Sequence, residues 1–444
     1  MKRTYLLQPF GHHDGSAVIF VAVAMLLLLA FAALAVDMGH IYVVRTELQN
    51  AADAGALAGA QKLYINNGAN VNPLANQEAL DFVEKNYSEN EEVQVQSIER
   101  GHWRFSDRTF EVNETQMLPP MLGGVSSADL DANPQFVNAV RVITTRKRDM
   151  NNELPADFFG RILGDERAEV KAVAVAYIGF AGQIEPGGVD FPIAICARAI
   201  TESNGSYTCG VGRMINSGGG NSSSETGGWT NYAQPCETAS ASSVKPIVLN
   251  SNACTNAGNT APILFGGEGV GTTGGMVDTV LDKMVNCWTG WTQNKPYDPS
   301  ELPPPTQPWP MKFPVVDCTK NNVGNCVPVV GAVELNVLWI VYKNDPNYLE
   351  VPRTMYHPTP TVAEPLSGHQ WTCTNTATGE VAGRACWDEF TDEFDLQWDV
   401  NSTSPASYQE KTIYILPDCK PHELTGRTGG QNFGVLAKIP VLVW

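Results

Sequence analysis

The sequence predicts an α+β protein on a membrane stem: a long N-terminal transmembrane helix, a small α+β domain, and a mostly β, disulfide-rich extracytoplasmic domain. Three observations predict it. Ser16 to Val36, SAVIFVAVAMLLLLAFAALAV, carries no charge. Beyond Asp37 the apolar and small residues recur every three or four positions as far as Leu63. All 10 cysteines lie at or after Cys196. The 444 residues divide accordingly. Residues 1–15 form a cytoplasmic N-terminus, 16–36 the membrane span and 37–64 its helical extension. Residues 65–180 form the α+β domain, 181–189 a linker and 190–444 the cysteine-rich domain.

As a helix the uncharged run spans ~31 Å, enough for a bilayer core. Lys2 and Arg3 precede it, with His12 and His13 close by, and Asp37 follows at once. The excess of basic residues before the span places the N-terminus in the cytoplasm and the bulk of the chain outside. The cysteines agree, because disulfides persist in oxidising compartments. A cleaved signal peptide is the competing reading, with Ala33-Leu34-Ala35 as its A-x-A site. The apolar run exceeds the usual ~7–15 residues of such a peptide, and helix-favouring sequence continues through the cut.

Past the membrane, Ile41, Val44, Leu48, Ala52, Gly55, Gly59 and Leu63 form one helical stripe. Its lower part is nearly all Ala and Gly. The small-xxx-small spacing of Gly55 and Gly59 lets another backbone approach closely. Each glycine costs about 1 kcal/mol of helix propensity relative to Ala, so the close packing it permits has to be worth more than that. Ile41, Leu48, Ala52, Gly55 and Gly59 are the candidate helix-packing interface. They pack either on the chain's own domain or on another subunit. Span and extension together predict one rod of ~45 residues, or ~70 Å.

The residues read so far resemble a known family. A Gly-Ser before the apolar run, Asp37-Met-Gly39, Arg45-Thr-Glu-Leu-Gln49 and Asn50-Ala-Ala-Asp-Ala-Gly-Ala-Leu-Ala-Gly-Ala60 are similar to the TadE/TadG-like proteins of bacterial tight-adherence (Flp) pilus systems, the TadG-like branch above all. The likeness is strong over Gly15 to Ala60 and weaker to about residue 180. It implies an inner-membrane anchored accessory protein, pilin-like at its N-terminus, with the bilayer and pilin-like or other pilus-assembly proteins as partners. Two features depart from the pattern. A processed prepilin carries Glu five residues after the cleaved Gly, whereas Phe20 stands five after Gly15. The D-x-S-x-S metal motif of the adhesive domain found in some relatives is absent.

In the α+β domain, Asn72 is an N-cap and Pro73 the first residue of a short helix, Leu74 to Asn86. Val93-Gln-Val95-Gln alternates as a strand. Gly101 is a turn position, and Trp103, Phe105 and Phe110 mark a second strand. Leu118 to Pro134 reads as a loop. Asn138 to Thr145 is a third strand, Pro155 to Leu163 a helix, and Arg167 to Ile178 a fourth strand whose apolar end is covered on both faces.

Beyond residue 190 the clearest strands are Phe191–Cys196, Val333–Tyr342, Thr412–Leu416 and Val435–Val443, with Pro440 marking the last as an edge strand or a bulge. Asn216–Gly228 is a polar loop, Asp298–Pro310 an extended connector, and Gly275–Val285 a helix. Cys196, Cys209, Cys236, Cys254, Cys287, Cys318, Cys326, Cys373, Cys386 and Cys419 are disulfide candidates. No C-x-x-C occurs, which argues against zinc ribbons and thioredoxin-like sites. Cys318–Cys326 and Cys373–Cys386 are the expected local pairs. Nine of the ten tryptophans lie in this domain, as core residues or as a sugar-stacking platform.

A net charge of -18 argues against nucleic acid as a partner. Gly269-Val-Gly271-Thr-Thr-Gly274 matches G-x-G-x-x-G, but no second buried parallel strand follows. Asp388, Glu389, Asp392, Glu393 and Asp395 form an acidic knot without EF-hand spacing. The seven histidines are scattered, and neither H-E-x-x-H nor G-x-S-x-G occurs. The expected function is therefore structural: helix packing in pilus assembly, with no turnover, cofactor or metal. A surface adhesin with residues 190–444 as its binding head is the alternative.

Overall fold

The computed structural model describes residues 14–444 apart from 89, 116–121, 147–168, 217–226, 250–257, 268, 274–277, 293–306, 319–325, 343–350, 353, 357–367, 371–382 and 398–404. Helix α1, Asp14–Gln61, runs unbroken for 48 residues, or about 70 Å. Span and extension are thus one rod. No proline interrupts it, and Gly55 and Gly59 near its end lie on a packed face.

The lower half of α1 lies on a five-stranded sheet. Its strands are β1 (Gln94–Arg104), β2 (Thr109–Val112), β3 (Ala139–Arg146), β4 (Val170–Tyr177) and, from the other end of the chain, β15 (Val441–Leu442). The order is β15-β4-β3-β1-β2, antiparallel throughout. Helix α2, Ala75–Val83, packs beside α1. It is shorter than predicted. Asn72 accepts a hydrogen bond from the Leu74 amide at 3.0 Å, one step before the first helical residue.

Two expectations change here. Gly101 is no turn: it lies within β1, paired with Val112 on one side and Ala139 on the other. A side chain there would overlap the Glu111 carbonyl, so close strand packing explains the glycine. Trp103 accordingly belongs to β1 and Phe110 to β2. The predicted loop before Pro134 contains helix α3, Ser127–Asp131, started by a capping box between Ser126 and Asp129. The helix predicted at Pro155–Leu163 lies outside the described residues.

The second unit is built on an eight-stranded sheet. Its strands are β5 (Ile193–Cys196), β6 (Arg213–Asn216), β7 (Gly227–Thr230), β8 (Val270–Thr273), β9 (Trp309–Val316), β10 (Cys326–Val327), β11 (Val329–Val341) and β12 (Thr412–Pro417). The order is β6-β12-β11-β9-β5-β7-β8-β10. The G-x-G-x-x-G match falls mostly on β8, where Gly269 and Gly271 sit against neighbouring backbone rather than open a phosphate loop. Helices α4 (Ala241–Leu249), α5 (Asp278–Thr292) and α6 (Gly383–Glu393) flank the sheet. Only α5 was legible in the sequence. The acidic knot falls largely on α6. Trp229, Trp288, Trp309, Trp339 and Trp387 are buried, which supports the core reading over a stacking platform.

The predicted linker, residues 181–189, is packed rather than free: Ala181, Ile184 and Val189 are buried in the second core. Near the C-terminus, β13 (His422–Arg427) and β14 (Val435–Ile439) pair in parallel. Pro440 then breaks the strand, and β15 crosses to the first sheet, Val441 opposite Tyr177. The strand predicted at Val435–Val443 is therefore split between two sheets. Leu436 belongs to the first core. Asn432 donates to the Leu122 and Val125 carbonyls at 2.7 and 2.9 Å.

Candidate functional site

Helix α1 divides by exposure. From Val18 to Val43 its large apolar side chains, Ile41 apart, are bare: Phe20 is 75%, Leu28 69% and Tyr42 73% exposed. From Val44 to Ala60 one face of the helix is core, while Arg45, Thr46 and Asn50 stay exposed. Among the described residues α1 is the one helix long and apolar enough to cross a bilayer. It fits a single-pass anchor.

The candidate interface falls across this divide. Ile41 is half-buried at the edge of the first core. Leu48, Ala52, Gly55 and Gly59 are buried. A Cβ on Gly55 would overlap Val83 Cγ2 and lie 3.0 Å from the Ala79 carbonyl. One on Gly59 would lie 2.9 Å from Ala79 Cβ and 3.0 Å from Val140 Cγ1. The bare ridge is real, but α2 and β3 of the same chain fill it. A foreign helix reaches Gly55 and Gly59 only by displacing α2. The surface left for a partner is the segment before Val44.

The cysteines pair over long range. Cys196 bonds Cys318, Cys209 bonds Cys419 and Cys236 bonds Cys326, with Cα–Cα distances of 5.6, 4.9 and 5.8 Å. The expected Cys318–Cys326 pair does not form. Cys318 follows β9, which lies parallel to β5 and its Cys196, whereas Cys326 opens β10 at the far edge of the sheet. Cys287 and Cys386 are also disulfide-bonded. Cys254 and Cys373 lie outside the described residues, and with them the expected Cys373–Cys386 pair.

One polar cluster is invisible in the sequence. His422 on β13 is 8% exposed and lies between two carboxylates. Its Nδ1 is 3.0 Å from Glu334 Oε2 on β11, and its Nε2 is 3.2 Å from Asp418 Oδ2. The second contact is oblique, at the margin of hydrogen-bond geometry, and draws mainly on charge. Asn67, from the first unit, places its Nδ2 3.2 Å from the same Nδ1, and its Oδ1 accepts from the Glu423 amide at 3.2 Å. Burial alone would lower the His422 pKa. Hydrogen bonds and charge from Asp418 and Glu334 outweigh it and raise the value to about 9. For Asp418 burial pushes up, but the His422 contact and the Lys420 amide win and hold the carboxyl below its usual range.

One histidine and two carboxylates are a metal-ligand inventory. One ligand atom from each of the three lies within 4.8 Å of the others, with Glu334 nearest Nδ1 and Asp418 nearest Nε2. Beside the cluster lies a cavity of about 550 Å³, lined by Asp190, Lys312, Glu334, Glu423, Lys438 and Asn67 among others. No local motif marks the cluster, because His422, Glu334 and Asn67 meet only in the tertiary structure.

The class these features define is a long apolar helix that fits a single-pass anchor and is also the spine of its globular domain, followed by a large disulfide-bonded second unit. Residues 15–62 match the family model described as Flp pilus-assembly TadE/G-like, and residues 58–176 the one described as Tad-like Flp pilus-assembly. These matches support the TadE/TadG-like family over these residues. No curated protein and no solved structure matches the chain. The role is thereby tied to the Tad pilus, and to association with other pilus-assembly components.

Proposed function

We propose that this protein is a membrane-anchored structural component of Tad (Flp) pilus assembly, acting without turnover. Its short N-terminus lies in the cytoplasm and residues after Asp37 lie outside the inner membrane. The disulfides and the basic residues before the span support that orientation. It works by packing the outer half of α1 against pilin-like helices in and just above the bilayer. One observation carries this reading: Met38, Tyr42 and Val43 stay exposed on the helix between the span and the domain, while the ridge below is filled from within. Lipid covers the span itself, but it does not reach the whole of this collar.

The test is site-specific photo-crosslinking in native membranes, with the probe at Tyr42 or Met38 and a control at Gln77 on α2. The expected result is a crosslink to a small pilin-like protein from the collar positions only. Crosslinks to lipid alone, with normal piliation when Tyr42 and Val43 are both changed to Ser, would remove the helix-packing mechanism.

A further inference from the structure

We propose that Asn113, in the exposed stretch Glu111-Val-Asn113-Glu-Thr115 at the end of β2, is an attachment site for an N-linked oligosaccharide. The inference rests on the orientation proposed above, which puts this residue outside the inner membrane.

Asn-x-Ser/Thr, with x other than proline, is the acceptor triplet for such a sugar on the surface of an exported protein. The chain holds five, at Asn86, Asn113, Asn204, Asn221 and Asn401. That number is ordinary for a chain rich in Asn, Ser and Thr. What precedes the triplets is not. Two residues before the asparagine stand Glu84, Glu111, Glu202 and Asp399, with Gly219 before Asn221 as the exception. Asp and Glu number 47 of 444 residues, so composition alone would put an acid at about one such position in nine. Four acids among five therefore mark the acid as part of what is read. It would give a transferase an anionic handle for a basic group on one side of the reacting amide and a hydroxyl on the other.

The fold separates the three triplets that lie among the described residues. Ser88 and Ser206 are 0% and 4% exposed, and the Ser88 hydroxyl donates to Glu47 Oε2 at 2.9 Å. An enzyme acting on the folded chain reaches neither hydroxyl. At Asn113 the outer positions are open: Glu111, Val112, Glu114 and Thr115 are all exposed. Glu111 is paired only loosely, with Arg104 at 3.6 Å. Asn113 Oδ1 accepts from the Thr115 amide at 3.2 Å and from the Thr115 hydroxyl, which sets carboxamide and hydroxyl side by side. Asn113 Nδ2 has two N–H groups. One donates to the Pro134 carbonyl at 3.0 Å and can stay when the other is replaced. Strand β2 is an edge of the five-stranded sheet among the described residues. A bulky hydrophilic group at its end would shield that edge from pairing with another chain.

The donor is an oligosaccharide joined through its anomeric carbon to a lipid-linked diphosphate. Nδ2 attacks that carbon. The C–N bond forms, the C–O bond breaks with its electron pair passing to the diphosphate, and one amide proton goes to a base of the transferase. Nothing is oxidised or reduced.

The test is tandem mass spectrometry on full-length protein from the membranes of its native host. Trypsin releases residues 109–141, in which Asn113 is the one acceptor triplet. This peptide should carry a carbohydrate mass on Asn113, whereas peptides containing Asn86, Asn204 and Asn221 should be bare. Occupancy should be lost in Thr115→Ala, return in Thr115→Ser and fall at least about tenfold in Glu111→Gln. These positions are exposed, so the variants keep the fold. Labelling of a Ser106→Cys variant by a membrane-impermeant maleimide in spheroplasts reports the orientation separately. Labelled Cys with a bare Asn113 would overturn the attachment site and leave the orientation standing; no labelling would overturn both. Sugar that persists in Thr115→Ala, or equal occupancy at Asn204 and Asn221, would also overturn the proposal.

Discussion

At the level of single residues, the glycines of α1 show how one feature changes meaning once its neighbours are known. A Cβ added to Gly39 would meet nothing within 4 Å, whereas Gly55 and Gly59 are seated against Val83, Ala79 and Val140. Gly55→Leu should therefore destabilise the membrane-proximal unit by about 1–3 kcal/mol through overpacking, despite its better helix propensity. Gly39→Ala should be neutral or stabilising by up to about 1 kcal/mol. Thermal unfolding in detergent, followed by near-UV circular dichroism, separates the two; equal midpoints would contradict the packing described. His102 makes a similar point. Both ring nitrogens lie 2.7 Å from backbone carbonyls, of Phe136 and Asp131, so this histidine is a structural brace.

At the level of elements, α1 does two jobs that its sequence encodes in two alphabets. From Ser16 to Val36 it is apolar, mostly bulky and uncharged; further on, the residues facing the domain are small and spaced for a close neighbour. A charge in the first part should be costly. Leu27→Arg, near the middle of the span, should disfavour insertion by about 2.5–3.5 kcal/mol. The measurable consequence is a fall in the fraction retained in carbonate-washed membranes, with Leu27→Ile as the neutral control. Unchanged retention would mean that the helix does not cross the bilayer at this depth. Strand β1 shows the opposite case, where local signals misled: Gly101 reads as a turn because glycine usually breaks strands, yet here it permits a close approach of β2.

At the level of the whole molecule, the chain is tied together over long sequence distances. The Cys209–Cys419 disulfide spans 210 residues and lies at the seam, beside Gly123 of the first unit. Cross-links that close long loops restrict the unfolded chain most. Replacing both cysteines with Ala should cost about 2–5 kcal/mol. It should raise the sensitivity of the second unit to protease under oxidising conditions, while membrane retention stays unchanged. No change in protease resistance would show that the seam is held by β15 and the Asn432 hydrogen bonds without the disulfide. Because β15 enters the first sheet, the C-terminal strand contributes to the unit before residue 181 as well. The first unit is completed by Val441 and Leu442, which follow the second.

The amino-acid sequence by itself determined the rod, the family likeness, the strands with clear alternation and the presence of disulfides. Each of these rests on local periodicity, composition or a contiguous motif. Tertiary structure alone decided which way the small-residue ridge faces, which cysteines meet, where Pro440 sends the last strand, and that Asn67, Glu334, Asp418 and His422 share one site. Those depend on contacts between residues far apart in the chain. Side-chain chemistry sets what such contacts are worth, but only the folded backbone brings the partners within reach.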